Sequence, residues 1–189
     1  MNTLIRKSLG AAILISLGSY GILVVENPYV SAMLFTLGLL TICKLKLNLF
    51  TGKCGFILEN HKWKDLFIIL LCNLIGGYAL GYVYGFMSED AVGAALLKVQ
   101  SWEISGGYFI RAMLCGVIMF IAVKLYNEGT SLGIFIGIPM FILCGFQHCI
   151  ANVIYMGVAK TFHPALFIAI IGNLLGSLFM WYFIPQKES

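Results

Sequence analysis

Six apolar segments follow one another along this chain, at residues 4–24, 29–49, 66–86, 105–126, 131–157 and 165–184. Each is near the roughly 20 residues that a helix needs to cross a hydrocarbon core of about 30 Å. With 60% hydrophobic and 11% charged residues over a length of 189, the chain has too little polar surface to hide its apolar groups in water. The segments therefore read as membrane helices, and the connections are too short for a soluble domain. The whole of 1–189 reads as one all-α transmembrane domain in the lipid bilayer. The first segment starts with Arg6 and Lys7 but lacks a small-residue cleavage pattern, so it reads as a span rather than a signal peptide.

The basic residues fix the expected orientation. Arg6, Lys7, Lys53, Lys62, Lys64, Lys124 and Lys187 fall on the side of both termini, whereas Lys98, Arg111 and Lys160 fall on the other. The positive-inside rule then places both termini in the cytoplasm of a multi-pass protein of the inner (plasma) membrane. A net charge of +4 follows from this topology and does not call for nucleic acid. The cysteines at 43, 54, 72, 115, 144 and 149 form no C-x-x-C pair, and His61, His148 and His163 sit in different segments. No metal site and no cofactor is expected.

Polar residues interrupt the fifth segment at residues 144–152, Cys-Gly-Phe-Gln-His-Cys-Ile-Ala-Asn, with Pro139, Gly145 and Gly157 nearby. A histidine and two carboxamides at that depth cost several kcal/mol unless they are paired or line a wet path. Irregular backbone there must be buried in protein or face a cavity. His148 thus reads as the centre of a pathway. The second segment has a matching difficulty at Lys44 and Lys46. Either its helix ends near Cys43 and the lysines reach the headgroups, or the chain breaks and runs on as a cavity-lining loop.

Asn73-Leu-Ile-Gly-Gly in the third segment and Asn173-Leu-Leu-Gly-Ser in the sixth match almost position by position. Three spans separate them, so the second copy enters the membrane the other way up. The expected architecture is two inverted three-helix repeats, about 1–87 and 105–185, joined by an external linker at 88–104. Leu49-Phe-Thr-Gly and the His148 stretch then occupy corresponding places, which favours interruption of both helices 2 and 5. Lys98, in the linker, reads either as a surface lysine or as part of an apolar piece folded back on the pathway mouth.

Four motifs in order resemble the formate/nitrite transporter family over nearly the whole chain. They are Phe35-Thr-Leu-Gly-Leu with Leu49-Phe-Thr-Gly, Leu97-Lys-Val-Gln-Ser-Trp with Phe109-Ile-Arg-Ala-Met-Leu-Cys-Gly, Gly145-Phe-Gln-His-Cys-Ile-Ala-Asn, and Gly172-Asn-Leu-Leu-Gly. The resemblance implies an aquaporin-like protomer of six helices, assembled as a homopentamer, with a pore for small monovalent anions in each protomer. By matching position, His148 is implied as the pore histidine, Lys98 as the vestibule lysine, Thr51 as the partner of the histidine and Asn152 as a neighbouring polar residue. Leu39, Leu49 and Phe50 are implied as one apolar constriction, and Phe35 with Phe141 as the other.

The chemistry of these residue types agrees with such roles. Lys98 draws an anion to the outer mouth, and His148 lends it a proton and recovers it, so that a weak acid passes the constrictions uncharged. Three departures from the family pattern stand out: Gly116 replaces an asparagine, Gln147 replaces a glutamate, and Lys44 and Lys46 replace small or apolar residues. Lysines facing the path make that half more electropositive and leave formate, nitrite, hydrosulfide and short carboxylates equally open. The competing reading is a neutral-solute pore for water, urea or ammonia on the same architecture. An enzyme is not expected, because no nucleophile, base and metal converge.

Overall fold

The computed structural model describes residues 2–184. Lys187 lies outside the described residues. Among them the chain is entirely helical, and four helices are long and apolar enough to cross a membrane: α1 (Thr3–Val24), α5 (Trp63–Tyr84), α7 (Gly106–Asn127) and α10 (Ala165–Phe183). In order, α2 (Pro28–Lys44), the short α3 (Phe50–Lys53) and α4 (Ile57–Asn60) lie between α1 and α5. Helices α6 (Glu89–Gln100), α8 (Leu132–Leu143) and α9 (Cys149–Val158) complete the chain. The segment at 29–49 is therefore α2, which stops at Lys44, followed by a loop into α3. The segment at 131–157 is two helices, α8 and α9, with a break between them.

The helix ends are written in the sequence. Asn27 caps α2 by accepting hydrogen bonds from the Tyr29 and Val30 amides, and Pro28 supplies the first helical residue without a wasted donor. Ser88 and Ser105 cap α6 and α7 in the same way. Both interrupted helices close on the same turn. After α2, Leu47 N–H donates to Ile42 O at 2.9 Å with Lys46 at φ 52; after α8, Phe146 N–H donates to Phe141 O at 2.9 Å with Gly145 at φ 69. Glycine occupies this left-handed position without penalty, whereas Lys46 holds it against the clash of its own Cβ.

Unlike a soluble bundle, this one is apolar outside as well as inside, with a few polar side chains buried within. Ser8, Thr36, Thr51, Asn73, His148, Asn152, Asn173 and Ser177 are buried, while Phe67, Ile75, Ile171 and Tyr182 face outward. Helices in lipid gain little from burying apolar groups and associate through close van der Waals contact instead. At the α7–α10 crossing, a Cβ on Gly116 would meet the Asn173 carbonyl oxygen, and one on Gly176 the Met113 carbonyl oxygen. Ser177 Oγ donates across the same contact to Gly116 O at 3.0 Å. Gly116 is thus required by the α7–α10 approach, which leaves no room for asparagine. We expect Gly116→Asn to destabilise the fold by at least the 1–3 kcal/mol, roughly, that overpacking costs. A thermal midpoint in detergent equal to that of the parent would show that this crossing has slack.

Candidate functional site

Each break strands backbone groups inside an apolar bundle, and a buried asparagine satisfies them. Asn73 Oδ1 accepts from Phe50 N at 2.8 Å, and its Nδ2 donates to Asn48 O at 3.2 Å and Ser8 O at 2.8 Å. Asn173 Oδ1 accepts from Cys149 N at 2.9 Å, and its Nδ2 donates to Gln147 O at 2.7 Å and Ala112 O at 2.8 Å. The loops also dock alike: Asn48 N–H donates to Lys7 O and Gln147 N–H to Arg111 O, each at 3.3 Å. The bonds put Leu49 and His148 in equivalent positions, each preceding the first residue of a short helix.

The two residues then differ. Leu49 makes no side-chain cap, whereas His148 Nδ1 accepts from the Ala151 amide at 3.1 Å and caps α9. An amide can only donate, so Nδ1 is the unprotonated nitrogen and Nε2 carries the hydrogen. At 2.9 Å, Nε2–H donates to Thr51 Oγ1 on α3. His148 is 1% exposed, and the Phe141 ring stacks on it with centroids 5.7 Å apart; Phe35 meets Phe141 edge-on at 5.8 Å.

A cavity of about 50 Å³ opens beside the imidazole and is lined by Lys98, Phe141, Gln147, His148, Asn152 and Tyr155, among others. Asn152 Nδ2 donates to Tyr108 Oη at 2.8 Å and to Gln147 Oε1 at 3.0 Å. The Lys98 ammonium lies 5.2 Å from the centre of the Tyr155 ring. Packed protein around that end of an otherwise exposed side chain holds its pKa below the ordinary lysine value.

Leu39 and Leu49 line a different cavity, of about 390 Å³, together with Lys46. Lys44 is separate from both and faces Tyr126 and Thr130. Phe50 is buried, with its amide held by Asn73, and is not among the residues lining the cavity of Leu39 and Leu49. The structure thus brings Lys98, Asn152, His148 and Phe141 together on one side, with Thr51 bonded to the histidine. It sets Leu39, Leu49 and Lys46 together on the other. Tyr108 had no signal in the spacing, because its hydroxyl meets Asn152 only through the fold. Asn73 and Asn173 were legible as repeat markers, and the bonds give their task. Among the described residues no cluster of His, Cys, Asp and Glu could hold a metal ion.

Apolar outer surfaces, polar side chains turned inward and two broken helices held by buried carboxamides define a membrane transport protein. The chain belongs to the formate/nitrite transporter family, whose model matches residues 1–180. Its fold is similar to that of an FNT family ion channel, with a TM-score of 0.72 and 20% identity over 95% of this chain and 86% of that one. It is also similar to a pentameric formate channel with formate bound, with a TM-score of 0.72 and 18% identity over 95% and 92% of the two chains. Comparison with curated proteins gives no match.

The carboxamide brackets are open to a direct test. Asn173→Ala leaves the Cys149 amide and the Gln147 and Ala112 carbonyls without their partner, at about 1–3 kcal/mol for each buried group. Asn173→Asp removes both donors and should fail as badly. Thermal melting in detergent should show a large drop for both variants; midpoints like that of the parent would show that the break does not depend on this residue.

Proposed function

We propose that this protein conducts small monovalent weak-acid anions, such as formate, nitrite, hydrosulfide or short carboxylates, across the membrane in which it is embedded. The observation that carries the reading is the shared cavity in which the Lys98 ammonium, Asn152 and the buried His148 face one small space. Family membership and the fold of the formate channel support it. By the same likeness the working unit is a homopentamer. The matched bonds of Asn73 and Asn173 support two inverted three-helix repeats, with α2–α3 and α8–α9 as interrupted spans of a six-span protomer. Arg6, Lys62 and Lys64 are exposed at the end of the bundle that carries Lys7, which supports cytoplasmic termini in a plasma membrane.

An anion reaches Lys98 by electrostatic attraction and is desolvated in a space too small for its full hydration shell. Its charged form is costly beyond Phe141 and Leu39, so it crosses after taking up a proton that the bulk solution delivers to the Lys98 cavity, beside His148, and releases that proton to the bulk on the far side. The bonds at the imidazole make it a poor lender. Giving up the Nε2 hydrogen leaves an imidazolate, and a proton on Nδ1 has to displace the Ala151 amide at the positive end of α9. His148 therefore serves as a polar waypoint, its ring presented between Thr51 and the cap. Proton and anion travel together, so uptake rises as the outside pH falls.

Two variants test the reading in proteoliposomes by stopped-flow uptake of formate, with urea as the neutral control. His148→Asn keeps a side-chain cap for α9 but cannot reach Thr51, and is expected to abolish formate flux while leaving thermal stability within about 1 kcal/mol of the parent. Urea flux that exceeds formate flux in the parent would favour the neutral-solute pore. Lys98→Ala is expected to slow uptake most at low formate and little at saturation. Because burial holds the pKa of Lys98 below the ordinary lysine value, its charge, and with it anion capture, is lost earlier as the pH rises than for a solvated lysine. Equal rates for Lys98→Ala and parent at every concentration would remove the lysine from the path.

A further inference from the structure

Lys44, one of the departures from the family pattern, lines neither the Lys98 cavity nor that of Leu39 and Leu49. It lies on the last turn of α2 and faces a third, open-sided cavity of about 570 Å³, shared with Leu40, Tyr126, Thr130 and Ser131. The far wall is the tight turn from α7 into α8. Gly129 takes φ 100 there, and Thr130 N–H donates back to Leu125 O at 3.1 Å, so two hydroxyl residues are presented to the cavity from a held loop. This is the end of the bundle at which α1 begins, because Asn48, four residues past Lys44, is bonded to Lys7. The rule that puts lysines beside the cytoplasmic headgroups puts Lys44 among them.

Among the described residues no group of the protein answers this charge: Lys44 has no ion pair, and the Tyr126 and Ser131 hydroxyls make no hydrogen bond. Thr130 Oγ1 accepts from Leu132 N at 3.3 Å and keeps its own hydrogen to give. Glu128, next to the loop, is taken by Lys124 at 3.7 Å, and no carboxylate lines the cavity. One ammonium and three hydroxyls with no competing acid suit a phosphate. Apolar ridges lead away from it toward the middle of the bilayer. Leu37 and Met33 continue the face of Lys44 and Leu40 back along α2 and are 65% and 49% exposed, and Phe135 on α8, one turn from Ser131, is 42% exposed. Helices α2 and α8 pack side by side, so acyl chains hung from the phosphate run along both.

We propose that this cavity binds an anionic phospholipid, its phosphate on Lys44 and its acyl chains along α2 and α8, in the leaflet on the side where α1 begins. A zwitterionic lipid such as phosphatidylethanolamine brings an ammonium of its own to a place where no carboxylate receives it. An anionic lipid such as phosphatidylglycerol brings only hydroxyls, and the charge of its phosphodiester meets Lys44. The lipid joins the end of α2 to the start of α8, the two helices that lead into the breaks. It therefore braces from the rim what Asn73 and Asn173 hold from within. The site belongs to the protein in its membrane and stands whatever solute the protein passes.

The test titrates the full-length protein, freed of lipid in detergent, with phosphatidylglycerol and with phosphatidylethanolamine of the same acyl chains, and counts the bound lipid by native mass spectrometry. The parent is expected to bind phosphatidylglycerol about tenfold more tightly, the scale of one charge-assisted hydrogen bond, and Lys44→Gln to lose that preference. Lys44→Arg should keep it. Lys64→Gln removes an exposed charge from the same end of the bundle, outside the cavity, and should leave binding as in the parent. Phosphatidylglycerol should likewise raise the thermal midpoint of the parent and not that of Lys44→Gln. Equal binding of the two lipids by the parent, or a preference that Lys64→Gln weakens as much as Lys44→Gln does, overturns the site in favour of general surface charge. Stabilisation by inorganic phosphate as great as by phosphatidylglycerol assigns the cavity to a free anion and overturns the lipid. A changed subunit number in Lys44→Gln, with lipid binding unaltered, means that a second copy of the chain covers the cavity, and overturns it too.

Discussion

A helix that stops inside a hydrocarbon core leaves amides and carbonyls with no water to bond, and this protein stops two of them. The remedy is a side chain that accepts once and donates twice, which among the uncharged residues only a carboxamide provides. Asn73 and Asn173 each take the first amide of the short helix and return two hydrogens, one to the loop and one to a neighbouring long helix. The breaks are rigid for that reason. Everything functional is then placed by them: Leu49 and Thr51 after one, His148 and Asn152 after the other. The glycine contacts at the α7–α10 crossing serve the same end, because they let Asn173 reach the loop.

Much of this could be read from the chain before its fold was known. Span lengths, the polar run at residues 144–152 and the repeated Asn-Leu-x-Gly motif followed from hydropathy and self-similarity alone. Other features had no local signal. The helices are apolar on most faces, so periodicity does not say which side meets protein, and Tyr108 looked like one more aromatic until its hydroxyl met Asn152. Hydropathy left Lys44 and Lys46 open between a helix end whose lysines reach the headgroups and a break into a cavity-lining loop; in the fold α2 ends at Lys44, and Lys46 turns the chain into the loop. Lys53 counted only as a topogenic charge, because nothing in a sequence says that a lysine will line a cavity. The contact between Thr51 and His148 came from resemblance, since 97 residues separate them.

The departure nearest the site is Gln147, which takes part in two of the bonds that hold it. Gln147 gives up a negative charge, but its backbone oxygen holds Asn173 and its side-chain oxygen holds Asn152. A neutral amide there keeps the Lys98 cavity free of a fixed anion that would repel the permeant and draw the lysine away. At the other mouth Glu59 lines the cavity and keeps its charge while it accepts the indole hydrogen of Trp181. The Lys98 cavity, by contrast, has no carboxylate among its lining residues. That arrangement suits a passing anion, which supplies the compensation itself, and is costly for any solute without charge to offer.

Histidine rather than another capping residue at position 148 follows from the geometry. Serine, threonine or aspartate would satisfy the Ala151 amide as well, and each is short. Imidazole carries an acceptor on one side of the ring and a donor on the other, so a single residue caps α9 and bonds Thr51 on α3. The two breaks, held separately by their asparagines, are joined at this one point. In the proposed path the ring is the polar surface between the Phe141 stack and Leu49. Equivalent by its backbone bonds, Leu49 offers no such surface, so the two breaks are alike in backbone and unlike in side chain, one polar and one apolar.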